Sequence, residues 1–318
     1  MSVRGEYKKL IDPDLQQFIK DTQGWYPDNA VDLPISQRRE FYNALCKAWS
    51  TPRPSKVDSK DFEIIQSGRS ISCRRYTNKQ QPVKIRILYF HGGGFVLGGL
   101  ESHDGLCAQI CQRTGFELIS VDYKLAPEHC YPADILDARA VYDYLLDRQP
   151  CPTLLLGDSA GASIAASLSH HVRNYIQVPV GQVLIYPMLG NNWQLPSFVE
   201  HANAPMLSTQ DVIFYARMRC GSDLNLLNEA QCSPLNDPDM SDLPPTFVFG
   251  AEFDPLHDDG KAYCDAINAA GGAARFVEGL GLVHSWLLAR NTVHRASSAF
   301  NDVIGAVIKL GQSSQVRN

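Results

Sequence analysis

The chain has 318 residues, 44% of them hydrophobic and 20% charged, which is ordinary globular material with length for one large α/β domain or two smaller units. Its formal net charge is −5, and its longest basic runs are the pairs Lys8-Lys9, Arg38-Arg39 and Arg74-Arg75, so it offers no electrostatic footprint for nucleic acid. The opening MSVRGEYKKLIDPDLQQ lacks the apolar stretch of a signal peptide, and no window of 18 apolar residues occurs, so a cytoplasmic protein without a membrane partner is expected.

The elements begin with helices. Asp12-Pro13 reads as an N-cap followed by proline at the first helical position, opening a helix to about Thr22. Phe41, Leu45, Ala48 and Trp49 share one face of a second helix over 36–49, which Pro52 and Pro54 stop. Short strands follow at 61–67, 70–76 and 83–90. Cys107 and Cys111 fall on one side of a helix, and nine cysteines without C-x-x-C spacing read as reduced core thiols rather than a disulfide framework or metal ligands.

Strand and helix then alternate: strands at 116–122, 153–157, 181–187, 245–250 and 274–279, with helices at 133–147 and 160–173. Such alternation implies an α/β architecture, a mostly parallel central sheet with helices on both faces. Between 189 and about 234 the pattern lapses into a long insertion with one helix from Ser208. We read this insertion and residues 1–55 as a helical cap on the domain formed by 56–318, whose last helix runs from Asn291 to Leu310.

Ligands of open α/β sheets bind beyond the carboxyl ends of the strands, and the stretch LLLGDSAGAS puts Ser159 at such an end. Gly157-Asp158-Ser159-Ala160-Gly161, with a strand before and a helix after, fits the G-x-S-x-G turn that exposes a nucleophilic hydroxyl. A serine nucleophile also needs a base, an orienting acid and donors for an oxyanion. His91-Gly92-Gly93-Gly94, directly after a buried strand, suits the donors. Chain order in hydrolases of this kind is Ser, acid, His, and His284, in the loop after the last strand, suits the base. Asp254 is the first choice of acid and Glu252 the second, both just past the strand at 245–250. Asp258 and Asp259 are read as caps of the helix that follows, and Asp158 as structural.

The motifs HGGGF (91–95), DYKLAPE (122–128), GDSAG (157–161) and GAEFDPLHDD (250–259), with His284, resemble the hormone-sensitive lipase-like group of α/β-hydrolases, most closely the bacterial acetyl esterases. The resemblance implies an α/β-hydrolase fold with a helical cap, with Ser159 as nucleophile, His284 as base and Asp254 as acid. It further implies an oxyanion hole of the Gly93, Gly94 and Ala160 N–H groups, and a supporting Glu128 near the catalytic turn. The chain departs from the family where His257 replaces a common arginine and where Ser285-Trp286 follows His284. The function so implied is a serine carboxylesterase acting on a small-molecule ester with a short, acetyl-type acyl group, requiring no metal or organic cofactor, as monomer or homodimer. The same residues would also serve an amidase or a sugar deacetylase, and a non-catalytic binding protein of the same fold is the alternative of another class.

Overall fold

The computed structural model describes residues 7–27, 33–80 and 82–315. Residues 1–6 and 28–32 of the expected N-terminal segment, and 316–318 of the expected catalytic domain, lie outside the described residues. No helix among the described residues is long and apolar enough to cross a membrane.

In chain order the elements are α1 (Pro13–Gln23), α2 (Ile35–Ala48), β1 (Val57–Gln66), β2 (Arg69–Asn78), β3 (Arg86–Phe90), α3 (Asp104–Thr114), β4 (Glu117–Val121), α4 (Ala133–Arg148), β5 (Thr153–Asp158), α5 (Ala160–Val172) and β6 (Gly181–Ile185). The insertion contributes α6 (Pro196–Glu200) and α7 (Thr209–Cys220), after which come β7 (Thr246–Phe249), α8 (His257–Ala269), β8 (Ala274–Val277) and α9 (His294–Gln315). One sheet runs β1-β2-β4-β3-β5-β6-β7-β8. β2 is antiparallel to β1 and to β4, and all the other pairings are parallel.

The central strands are buried throughout, and their alternation feeds two cores, one on each face. Leu88, Phe90, Leu155 and Leu184 pack with α4, α5 and α8. Ile87, Tyr89, Leu154, Leu156 and Val183 pack with α3, α9 and Leu15, Phe18 and Ile19 of α1. Cys107 and Cys111 are fully buried in that second core.

Several boundaries move for physical reasons. The strand expected from Val83 pairs only from Arg86, whose N–H donates to Pro152 O at 2.9 Å, and Val83 stays exposed. The last helix starts at His294 rather than Asn291, because Trp286–Asn291 forms a separate 3₁₀ turn that buries Trp286. The strand at 274–279 ends at Val277, where pairing with β7 stops. Helix α7 starts behind Ser208, which forms a capping box with Asp211.

Asp258 and Asp259 do not cap α8 in the expected way; they tie down the insertion. Asp258 Oδ2 accepts from Ser197 N at 3.0 Å, and Asp259 Oδ2 accepts from Leu189 N and Gly190 N, each at 2.9 Å. Asp259 is fully buried, and burial pushes its carboxyl up to about 6, with Asp254 and Asp258 adding to the rise and the two N–H groups opposing it. A carboxyl raised in the folded state stabilises while protonated, and that contribution is lost as pH rises through the folded value. We therefore expect Asp259→Asn, which keeps the acceptor and removes the charge, to gain on wild type by on the order of 2 kcal/mol in urea unfolding between about pH 4 and about pH 8. A gap between the two that stays constant with pH would refute the raised carboxyl.

Candidate active site

The site is built where β5 becomes α5. Ser159 N–H still belongs to the sheet, donating to Ile185 O at 2.8 Å, while its carbonyl already accepts helical bonds from Ala162 N and Ser163 N at 3.0 and 3.2 Å. One residue thus changes direction between the two ladders, which forces Ser159 to φ 51°, ψ −122°, a conformation that side chains other than glycine's rarely adopt. The turn fits because glycines let the backbones touch: a Cβ on Gly161 would come within 2.0 Å of Phe90 O, and one on Gly157 within 2.4 Å of Gly161.

The tight corner presents the Ser159 hydroxyl to His284. Ser159 Oγ lies 3.0 Å from His284 Nε2, and His284 Nδ1 lies 2.7 Å from Asp254 Oδ2. With the ring proton on Nδ1 donated to the carboxylate, Nε2 is the acceptor for the serine O–H. Asp254 is fully buried, and its other oxygen accepts from Leu256 N at 2.9 Å, which fixes the carboxylate plane. The Tyr186 ring sits 4.6 Å from the imidazole, centroid to centroid, and limits its rotation. Glu252, the second choice of acid, is turned away; its Oε2 accepts from Gly281 N at 2.6 Å.

His91-Gly92-Gly93-Gly94 lies across from this corner. Gly93 and Gly94 have φ of 122° and 62°, and their N–H groups, like that of Ala160, find no acceptor among the described residues. Asp158 joins this loop to the turn: its Oδ1 accepts from Gly92 N at 3.0 Å and from the Tyr89 hydroxyl, and its Oδ2 lies 3.6 Å from His103 Nε2. Burial alone would push the Asp158 carboxyl up, but the contacts of His103 and the Tyr89 hydroxyl hold it below the ordinary carboxylate value. Burial and His103 push His91 down to about 3, so its ring is neutral. That ring stacks on Tyr123 at 4.4 Å, with Nδ1 2.8 Å from Gly92 O.

A cavity of about 600 Å³ opens on Ser159, His284, Gly93 and Gly94. Both remote segments line it: Tyr26, Tyr42 and Leu45 from the first, and Met206, Leu207 and Tyr215 from the insertion. A Cβ on Gly94 would meet the Tyr215 ring at 2.4 Å, so α7 lies directly on the glycine loop. The sequence puts Tyr42 and Tyr215 in the two segments read as a cap but does not bring them to this cavity, because their place here depends on how α2 and α7 dock.

Two other histidines and Glu128 are engaged elsewhere. His201 packs against Tyr7 and Phe253. His257 bonds Asp258 and Glu278, which raise it to about 9 with the Glu278 contact foremost. Glu128, expected to support the catalytic turn, is exposed and pairs with Arg39 of α2 at 2.7 Å. Its partner Arg39 also donates to Val96 O and Ala126 O, so the support it gives is to the docking of α2.

Residues 87–288 match the family model described as alpha/beta hydrolase fold. The chain is 39% identical over 223 residues to the esterase LipI of Mycobacterium tuberculosis, covering 68% of this chain and 69% of that protein. It is 28% identical over 314 residues to an ethyl acetate hydrolase of Pseudomonas putida, covering 93% of this chain and 98% of that one. A solved ester-hydrolase from the metagenome of Lake Arreo, in complex with a bipyridine phosphonate derivative, superposes with a TM-score of 0.87 at 27% identity, covering 96% of this chain and 100% of that one.

Asp158→Ala should slow labelling of Ser159 by a fluorophosphonate roughly 10- to 100-fold, because Gly92 and the donors after it lose their anchor. Asp158→Asn, which can still accept from Gly92 N, should keep most of the rate. Labelling of the alanine variant at the wild-type rate would reduce Asp158 to packing.

Proposed function

The chain belongs to the alpha/beta hydrolase fold family and is a carboxylic ester hydrolase, and from that premise we propose that it cleaves short-chain acyl esters through an acyl-enzyme on Ser159. The observation that carries this reading is the continuous contact from Ser159 Oγ through His284 to Asp254, opening on the cavity at one end and buried at the other.

In the proposed reaction the ester carbonyl sits between the Ser159 hydroxyl and the Gly93, Gly94 and Ala160 N–H groups. His284 Nε2 takes the serine proton as Oγ attacks, and Asp254 stabilises the imidazolium without taking a proton itself. The developing oxyanion is met by the three N–H groups and by the N-terminus of α5. His284 then protonates the departing alcohol, and water repeats the cycle on the acyl-serine. The residues supply the nucleophile, the base and the oxyanion donors themselves.

Aromatic and aliphatic side chains of the two cap segments line the cavity and suit it to an apolar acyl group, and the name of one relative supports a short one. A relative matched along nearly the whole chain bears the name ethyl acetate hydrolase. The two segments, 1–55 and about 189–234, act in this reading as the cap that selects the substrate.

The test is hydrolysis of 4-nitrophenyl acetate, butyrate, octanoate and palmitate by wild type and Ser159→Ala. Acetate or butyrate should turn over fastest, and the substitution should lower that rate by on the order of 10⁴ or more. A substituted protein as active as wild type would remove Ser159 from the reaction, and a palmitate preference would remove the short-acyl assignment.

A further inference from the structure

The insertion holds a second reactive arrangement, away from the Ser159 cavity. Cys220 is the last residue of α7 and Cys232 lies twelve positions later, yet their Sγ atoms are 3.9 Å apart and both residues are buried. Arg219 sits beside them, 1% exposed, with its guanidinium 4.0 Å over the Phe95 ring and 5.3 Å over that of Tyr131. Its Nε donates to Asp134 Oδ2 at 2.8 Å, and its Nη1 donates to Cys232 O at 2.9 Å and to Cys232 Sγ at 3.5 Å. Nη2 is buried with no partner among the described residues. One carboxylate therefore leaves much of this cation unpaired, and the guanidinium edge not taken by Asp134 faces sulfur.

A cation at a sulfur favours the thiolate, the form that reacts. Burial pushes the thiols of Cys46, Cys73, Cys107, Cys111 and Cys264 up, as expected of inert core cysteines. Cys232 goes the other way: its hydrogen bond with Cys220 and the charge of Arg219 outweigh the cost of burial. Cys220 correspondingly moves up. The pair has the division of labour of an attacking and a resolving cysteine.

We propose that Cys220 and Cys232 form a modification site that a peroxide closes to a disulfide. The Cys232 thiolate attacks hydrogen peroxide; an S–O bond forms, the O–O bond breaks, and the departing hydroxide takes a proton to leave as water. Cys220 Sγ then attacks Cys232 Sγ; the S–S bond forms, the S–O bond breaks, and the hydroxide released combines with the Cys220 proton as a second water. Two thiols and one peroxide give one disulfide and two waters, with two electrons passing from sulfur to oxygen. The sulfurs must close by about 2 Å to reach bonding distance. Gly221, at φ 64° immediately after Cys220, is the natural place for the backbone to absorb that movement.

The bond would staple the last turn of α7, the helix whose Tyr215 lies on Gly94, to a loop already held by Tyr131 through Glu229 Oε2 at 2.8 Å. Closure of this pair does not depend on the reaction assigned to Ser159. Cys130 is the competitor to control for, since its half-buried sulfur would lie 3.5 Å from a Cβ on Gly221.

The experiment treats the whole protein with dilute hydrogen peroxide, alkylates it under denaturing conditions and maps its peptides before and after dithiothreitol. The expected product is a reducible Cys220–Cys232 cross-link, two hydrogens lighter than the dithiol, that melts at a higher temperature than the reduced protein. In Cys220→Ser the reaction should stop at a sulfenic acid on Cys232, trapped by dimedone; in Cys232→Ser neither product should form. Full alkylation of all nine thiols after peroxide, a cross-link through Cys130, or a dimedone adduct on a different cysteine would each overturn the proposal. So would equal melting temperatures of the two forms. Should a serine variant fail to fold, the wild-type peptide map decides alone.

Discussion

The contact on which the rest of the site depends is that of α5 with the end of β3, where Gly161 meets the carbonyl of Phe90 without room for a Cβ. A helix brought that close can start one residue after the sheet ends, and only then does Ser159 carry both a sheet bond on its N–H and helix bonds on its carbonyl. A residue held in such a conformation costs on the order of 1–3 kcal/mol, and it persists only where its surroundings over-determine it. Here they do so from three sides: β6 through Ile185 O, α5 through its first turn, and β3 through the glycine contact. Relaxing the turn would break bonds in two ladders at once.

Around this corner two separate segments of the chain come together. The first segment and the insertion, far apart in sequence, meet over Val96, Leu97 and Ala126, where Ile35 and Tyr42 of α2 face Tyr215 and Met218 of α7. Arg38 lies 5.0 Å over the Phe214 ring, and Arg39 ties α2 to Val96 O, Ala126 O and Glu128. The Arg39–Glu128 pair is largely exposed, so its stabilisation is at most about 1 kcal/mol. Its value is geometric: the two-pronged guanidinium fixes α2, and with it Tyr42, relative to the loop that carries Gly93 and Gly94. Asp258 and Asp259 perform the matching task for the insertion from beneath.

The parts legible in the sequence were those with short-range causes. Unbroken apolar runs marked β3, β5 and β6. Gly157 and Gly161 bracketing Ser159 marked a tight corner, because backbones can touch only where the Cβ atoms between them are missing. Ser159, Asp254 and His284, chosen by order along the chain and by position at strand ends, come within hydrogen-bond reach of one another in space. Long-range ties left no such mark. Asp258 and Asp259 in the first turn of a helix read as helix-end charges, yet both turn sideways to backbone N–H groups more than sixty residues away in sequence. Glu128 sat in a recognisable motif, but its partner is an arginine of a helix whose docking no local pattern specifies. Likewise Trp286 offered no sign that its burial would open a separate 3₁₀ turn and delay the last helix.

The charges beneath the corner show why position there matters more than residue type. Asp158 is one residue from the proposed nucleophile, and a bare carboxylate there would oppose a developing oxyanion by like-charge repulsion. The fold blunts that repulsion by surrounding the carboxylate with Gly92 N–H, the Tyr89 hydroxyl and His103, while His91, neutral and stacked on Tyr123, adds no charge of its own. Donors turned to Asp158 are then balanced by donors left without acceptors on the cavity side among the described residues, the N–H groups of Gly93, Gly94 and Ala160. In the proposed reaction the same carboxylate that would hinder through its charge serves through its hydrogen bonds, because it fixes Gly92 and with it the start of the glycine loop.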